Sequence, residues 1–241
     1  MSAKSNFVID IGNSRIKSAT ILRDTVSDIK YWDKAEELQK HRAKNQPTII
    51  SSVKHDRSQL TAIFGNEVFI LGPETMLPIG INYDTPQTLG KDRIASAVAA
   101  NYLFPMENLL IIDAGTCITY DLVIAGLFEG GLISPGYLMR LRAMHMMTAG
   151  LPDLSTLWTE HDSNLVGKST GQCMVSGAKN GMLDEINGMI SRFKEKYVDL
   201  KVIVTGGDTS LFESSLKEHI FVRSNLVLLG LNQILLYNEN I

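Results

Sequence analysis

Short apolar runs alternate along this chain with turn residues and with stretches whose apolar positions recur every three or four residues. Phe7-Val8-Ile9 runs into Asp10-Ile11-Gly12-Asn13-Ser14, and a second apolar stretch follows at once. This pattern predicts strands over 7–12 and 15–22 around a tight turn. The charged stretch 28–45 reads as strand, loop and helix, and 48–53 and 68–71 read as buried strands. Residues 76–89 carry Pro78, Gly80 and Pro86, so they read as a loop, long enough to suggest function. Ile94, Ala97, Val98 and Tyr102 recur at helical spacing, predicting a helix over 92–104 directly after Gly90.

Past Asn108 the pattern predicts strands over 109–113, 117–124 and 127–134, with sharp turns at Gly130-Gly131 and Pro135-Gly136. Helices are predicted over 137–148 and 168–196. A strand over 202–205 ends in Gly206-Gly207, and a last helix covers 225–237. A strand-rich then helix-rich order thus occurs twice. The best boundary lies at Pro105 to Asn108, giving expected halves 1–106 and 107–241. There is no short tandem repeat and no low-complexity segment.

Composition narrows the classes. A chain of 241 residues holds one large domain or two smaller ones with a proper core. Its 44% apolar and 20% charged content is that of a globular protein. A net charge of −3 without a basic stretch points away from nucleic acid. The polar residues 1–6, followed by a short strand, argue against a signal peptide. The apolar stretch 226–237 is broken by Asn232 and Gln233 and is too short to span a bilayer. No membrane role and a cytoplasmic, reducing home are therefore expected. Cys117 and Cys173 fit no zinc or redox spacing and sit in segments that read as buried, so packing is their expected role. The histidines show no metal-ligand pairing. Met139, Met144, Met146 and Met147 are expected in core or subunit packing; Arg140 and Arg142 could face an anionic ligand, with solvent exposure as the default expectation.

The chemistry concentrates at strand ends. In Asp10 to Lys17 a glycine at a strand-turn-strand lets the backbone approach a phosphate, and successive amides can form an anion-binding nest. Asn13 and Ser14 add donors, Lys17 adds charge, and an acid at the strand end suits a hydrated Mg²⁺. A plain hairpin explains the same residues. Asp113-Ala114-Gly115-Thr116 repeats the pattern, however, and Asp113 ends a nearly all-apolar strand, where a carboxylate is costly unless paired or bound to a cation. Gly206-Gly207-Asp208 follows a third apolar strand and suits close approach by an adenosine. Three such sites in this order suggest an α/β chain of duplicated, actin-like and sugar-kinase-like ATPase (ribonuclease H-like) domains. Gly90-Lys91-Asp92-Arg93 lies at a helix N-terminus, where anions bind well and where an Asp is equally a favourable first-turn residue. Phosphoryl transfer to an alcohol needs a carboxylate to accept the hydroxyl proton, a role open to an acid placed like Asp92.

The set as a whole resembles the type III pantothenate kinases, a family that also includes Baf-like accessory proteins. The residues that carry the resemblance are Asp10-Ile11-Gly12-Asn13-Ser14 with Lys17, Tyr83 upstream of Gly90-Lys91-Asp92-Arg93, and Asp113-Ala114-Gly115-Thr116. They continue with Gly130-Gly131-Leu132-Ile133-Ser134-Pro135-Gly136, Thr148-Ala149-Gly150-Leu151-Pro152, Val166-Gly167-Lys168-Ser169-Thr170 and Thr205-Gly206-Gly207. The resemblance implies phosphorylation of pantothenate by ATP, the first step towards coenzyme A; the alternative is an inactive ATP-binding accessory protein. By similarity Asp10, Ile11, Gly12, Asn13, Ser14, Arg15, Ile16 and Lys17 hold ATP phosphates, joined by Thr116. Asp92 is the proton acceptor. Tyr83, Gly90, Lys91, Asp92 and Arg93 bind pantothenate, and Thr170 does so from the neighbouring subunit of a homodimer. Asp113 takes a monovalent cation, K⁺ or NH₄⁺, and Mg²⁺ accompanies the ATP.

Overall fold

The structure is a computed structural model, describing residues 5–43, 45–154, 165–212, 216 and 220–239. A first sheet contains β1 (Asn6–Ile11), β2 (Ile16–Leu22), β3 (Thr25–Trp32), β4 (Thr48–Ser52) and β5 (Phe69–Ile70), in the order β3-β2-β1-β4-β5. β1 runs antiparallel to β2 and parallel to β4. A second sheet contains β6 (Gly80–Ile81), β7 (Asn108–Ala114), β8 (Cys117–Ile124), β9 (Leu127–Pro135), β10 (Lys201–Thr205) and β11 (Phe221–Val222), in the order β11-β10-β7-β8-β9-β6. Taken from β9, the order β9-β8-β7-β10-β11 repeats that of the first sheet, with β6 added beside β9. The helices are α1 (Ala35–Leu38), α2 (Arg57–Phe64), α3 (Lys91–Leu103), α4 (Tyr137–Met146), α5 (Thr170–Lys196) and α6 (Leu226–Glu239). No helix among the described residues is long and apolar enough to cross a membrane.

The α/β pattern expected from the apolar runs is present, with three differences. Helix α2 was not anticipated, although its start carries a capping box: the Asp56 side chain accepts from the Gln59 amide at 2.9 Å, and Gln59 Oε1 accepts from the Asp56 amide at 3.0 Å. The 76–89 segment holds the two-residue strand β6 and a 3₁₀ turn over Pro86–Thr88. Strand β11 is two residues long and too short to leave a periodic signature.

The chain forms two compact units, one of Met1–Glu107, Asp121–Gly130 and Asn225–Ile241, the other of Asn108–Tyr120 and Gly131–Ser224. In the first unit β1 is buried on both faces, which explains an unbroken apolar run in place of alternation. Phe7, Ile9 and Ile11 pack with Leu38, Leu60 and Phe64; Val8 points to the opposite face. Helix α6 packs on α3 and against β1, β2 and β4. Asn232, which interrupts the apolar stretch of α6, is fully buried, accepts a hydrogen bond from Asn6 Nδ2 at 2.8 Å and donates to the Arg23 carbonyl at 3.2 Å.

The α3–α6 contact depends on small residues. A Cβ on Gly230 would stand 1.8 Å from the Ala95 carbonyl oxygen, so the two backbones meet there. Gly230→Ala is expected to lower the unfolding free energy by about 2 kcal/mol, the usual cost of overpacking a rigid contact. Urea denaturation measures this; a loss below about 0.5 kcal/mol would show that the helices can simply move apart.

Candidate active site

In the first unit the β1–β2 hairpin places Asp10 opposite Lys17 and, across β4, opposite Ser51. The Gly12 amide donates to the Arg15 carbonyl at 3.0 Å, closing the turn on itself. The glycine amide is therefore spent inside the hairpin, and Asn13, Ser14 and Arg15 are the exposed groups at its tip. Lys17 Nζ stands 5.6 Å from the centre of the Tyr31 ring, within cation–π range. A cleft of ≈ 310 Å³ beside the tip is lined by Ser14, Arg15, Tyr31, Trp32 and Asp33.

Helix α3 starts nearby in the same unit. Ser52, the last residue of β4, lies in register with Ile11, and its carbonyl accepts from Lys91 Nζ at 3.1 Å. Burial draws the Lys91 pKa below its ordinary value. Asp92 sits in the first helical turn, with Oδ1 accepting from the Arg93 amide at 2.9 Å. A Cβ on Gly90 would stand 2.5 Å from that same oxygen. Gly90 is thus the residue that leaves room for the Asp92 carboxylate.

Arg93 is buried, and its Nε and Nη2 both donate to Asp121 Oδ1, at 2.8 and 2.6 Å. Burial alone would lower the guanidinium pKa; the hydrogen bonds and charge of Asp121, with a contribution from Tyr83, outweigh it and raise it. The guanidinium carbon lies 5.9 Å from the centre of the Tyr83 ring and 5.7 Å from that of Phe128. The two rings meet edge-on at 6.1 Å. Gly130, at φ +102°, leaves the space that the Tyr83 ring borders. Tyr83, Gly90, Lys91, Asp92 and Arg93 are therefore brought together with the Asp10 hairpin in one unit. Asp121 was missed as a functional residue. Its signal is an acid within the otherwise apolar run of β8, where a carboxylate needs a partner.

The second unit holds the other hairpin. Asp113 is half-buried near the end of β7 and in register with Thr205 of β10. The Gly115 amide donates to the Cys117 carbonyl at 2.9 Å, again spending the glycine amide within the turn, and Thr116 is exposed. The space a Gly115 Cβ would occupy is open, so a phosphate can approach that backbone. Gly206 is different. At φ +104° its missing Cβ would lie 2.1 Å from the Ala114 carbonyl oxygen, so the chain itself makes the close approach there. Gly136 likewise abuts the Gly115 and Thr116 carbonyls. Thr170 is the exposed first residue of α5, behind Ser169, whose side chain accepts from the Gln172 amide at 3.3 Å. No group of three or more His, Cys, Asp or Glu among the described residues could hold a metal ion. Asp10 and Asp113 each place one carboxylate near a strand end, the kind of donor that Mg²⁺ shares with substrate phosphates.

Two other expectations change and a third, core or subunit packing of the methionines, is narrowed. Arg140 is not a solvent-facing side chain: it is paired with Glu185 of α5. Cys173 is exposed and Cys117 half-exposed, because Cys173 falls outside the buried stripe of α5. Met146 and Met147 are 77% and 83% exposed, so they do not belong to the core of this chain. Glu185 also accepts from Tyr120 Oη at 2.8 Å and Ser134 Oγ at 2.5 Å. Burial pushes its pKa up, but the bonds from Ser134, Arg140 and Tyr120 prevail and hold it below 4.5. A carboxylate lowered in the folded state stabilises above its unfolded pKa and loses that contribution as pH falls through the folded value. Wild type is therefore expected to melt above Glu185→Gln at pH 7, with the gap closing below about pH 4. A gap that stays constant with pH would contradict this.

The fold is shared, over almost the whole chain, with proteins of low sequence identity. A protein from Campylobacter jejuni described as a Baf family transcriptional activator superposes with a TM-score of 0.65 at 21% identity, covering 98% of this chain and 100% of its own. A ROK family glucokinase from Streptomyces griseus superposes at 0.53 with 10% identity, covering 95% and 98%. The architecture is that of the actin-like, sugar-kinase-like ATPases. Within it, residues 6–192 match the type III pantothenate kinase family. A type III pantothenate kinase from Cytophaga hutchinsonii is 42% identical over 238 residues, covering 97% of this chain and 99% of its own length. The chain belongs to the type III pantothenate kinase family.

Proposed function

We propose that this chain transfers the γ-phosphate of ATP to the primary alcohol of pantothenate, giving 4′-phosphopantothenate and ADP, as a cytoplasmic homodimer. The observation that carries the reading is the start of α3, where Gly90 frees the Asp92 carboxylate and Arg93 is held in place beside Tyr83. Family membership supports the substrate pair. Asp92 accepts the hydroxyl proton as the new O–P bond forms and the bond to ADP breaks. Arg93 and Tyr83, with Gly90 and Lys91, orient pantothenate, and Thr170 reaches it from a second subunit. Asp10 to Lys17 and Thr116 hold the ATP phosphates, which makes positioning the main contribution of the protein. Mg²⁺ beside Asp10 and a monovalent cation at Asp113 supply charge neutralisation when bound. The exposed Met146 and Met147 support a subunit contact on α4 and the residue after it.

A coupled assay of ADP release, with and without pantothenate and in potassium against sodium buffer, tests the reading. Release that depends on pantothenate and rises with potassium is expected. A rate indifferent to pantothenate would sink the substrate assignment, and one indifferent to the cation would sink the role of Asp113.

A further inference from the structure

Glu185 has no place in the chemistry above, yet three donors from three elements converge on it. Tyr120 of β8 and Ser134 of β9 donate to Oε1, and Arg140 of α4 pairs with Oε2. The side chain is 22% exposed, and a charge so placed is not the cheapest way to pack a helix on a sheet. The network leads to one turn. Arg140 Nε donates to the Pro135 carbonyl at 2.9 Å. The next residue, Gly136, donates its amide to the Thr116 carbonyl at 3.1 Å, and a Cβ on it would stand 2.0 Å from the Gly115 carbonyl oxygen. The Pro135-Gly136 turn is thus held by Arg140 and Glu185 on one side and lies directly on the Gly115-Thr116 backbone on the other. All of these residues belong to the second unit.

We propose that Glu185 is a positioning residue for ATP, holding the Pro135-Gly136 turn as a backstop that sets the shape of the Gly115-Thr116 hairpin. The proposal rests on the reading that this hairpin receives ATP phosphates. The hairpin has already spent its glycine amide internally, so the backbone packed against it, Gly136 closest of all, helps to direct its remaining donors. Arg140 is the link. Tyr120 and Ser134 hold the Glu185 carboxylate in the rotamer that meets it, and charged hydrogen bonds of this kind are the strong ones.

The test uses the full chain and measures KM for ATP and for pantothenate separately, beside titration with a non-hydrolysable ATP analogue. Glu185→Ala is expected to raise the ATP KM and the analogue Kd about tenfold, the loss of one charge-assisted contact. The pantothenate KM should stay within about twofold. Glu185→Gln keeps an acceptor for Tyr120 and Ser134 but not the charge facing Arg140, and should fall between. Arg140→Ala should match Glu185→Ala, and the double variant should be no worse than the worse single, as for residues acting as one unit. Melting curves establish that each variant is folded. Should Glu185→Ala fail to fold, Glu185→Gln and Arg140→Ala decide the matter. An ATP KM unchanged in a folded variant, both KM values rising together, or additive effects would each overturn the proposal. If the wild type leaves pantothenate unphosphorylated, the proposed function has failed, while the analogue titration still judges Glu185.

Discussion

Asp92→Asn is expected to phosphorylate pantothenate about a thousand-fold more slowly than the parent, within the range that a general base contributes. The substitution leaves the local structure in place. An Asn oxygen can accept from the Arg93 amide as Asp92 Oδ1 does at 2.9 Å. What is lost is basicity, plus the favourable interaction of a carboxylate with the helix N-terminus, so stability should change by less than about 1 kcal/mol. KM for ATP should be nearly unaltered, since the carboxylate acts on the alcohol proton in the transition state and not on bound nucleotide. Steady-state kinetics with a melting curve check this. Wild-type turnover in a folded Asp92→Asn protein would remove Asp92 from the chemistry and leave it as a helix-start residue.

Asp121→Ala is expected to lower the unfolding free energy by about 3–5 kcal/mol, the cost of leaving one member of a buried ion pair alone. Arg93 has both Nε and Nη2 on a single fully buried carboxylate oxygen, and the rings of Tyr83 and Phe128 border it. Without Asp121 the guanidinium must find water, and in doing so it leaves the face of Tyr83. A rise in pantothenate KM should therefore accompany the loss of stability, with the ATP KM following less. Denaturant titration and two-substrate kinetics separate the two effects. A loss below about 1 kcal/mol would mean that Arg93 reaches solvent at little cost.

The candidate site was legible in unequal parts. The Asp10 and Asp113 hairpins could be read because each is a run of neighbours: an apolar strand, an acid, a glycine and small polar residues. The start of α3 was visible for the same reason. The use made of each glycine was not. Gly115 leaves open space, Gly136 and Gly206 meet the backbone of the second hairpin, and Gly90 makes room for the next residue but one. In sequence these look alike, because a missing Cβ does not say what occupies its place. Asp121 and Glu185 were hidden differently. Asp121 is the one acid of a strand read for its apolar residues, Glu185 one of three acids on a long helix, and their partners lie 28 to 65 residues away.

By itself the sequence determined most of the elements and their order, α2, β6 and β11 excepted, together with the two Asp-x-Gly hairpins and the family. These rest on alternation, helical spacing and turn residues, which act between residues close in the chain. Only the tertiary structure decided that α6 packs on α3 through Gly230, that Arg93 is committed to Asp121, and that Arg140 turns from solvent to Glu185. The physical reason is that a buried charge or a backbone-to-backbone contact is defined by which distant segment arrives to meet it, and many segments satisfy the same local pattern.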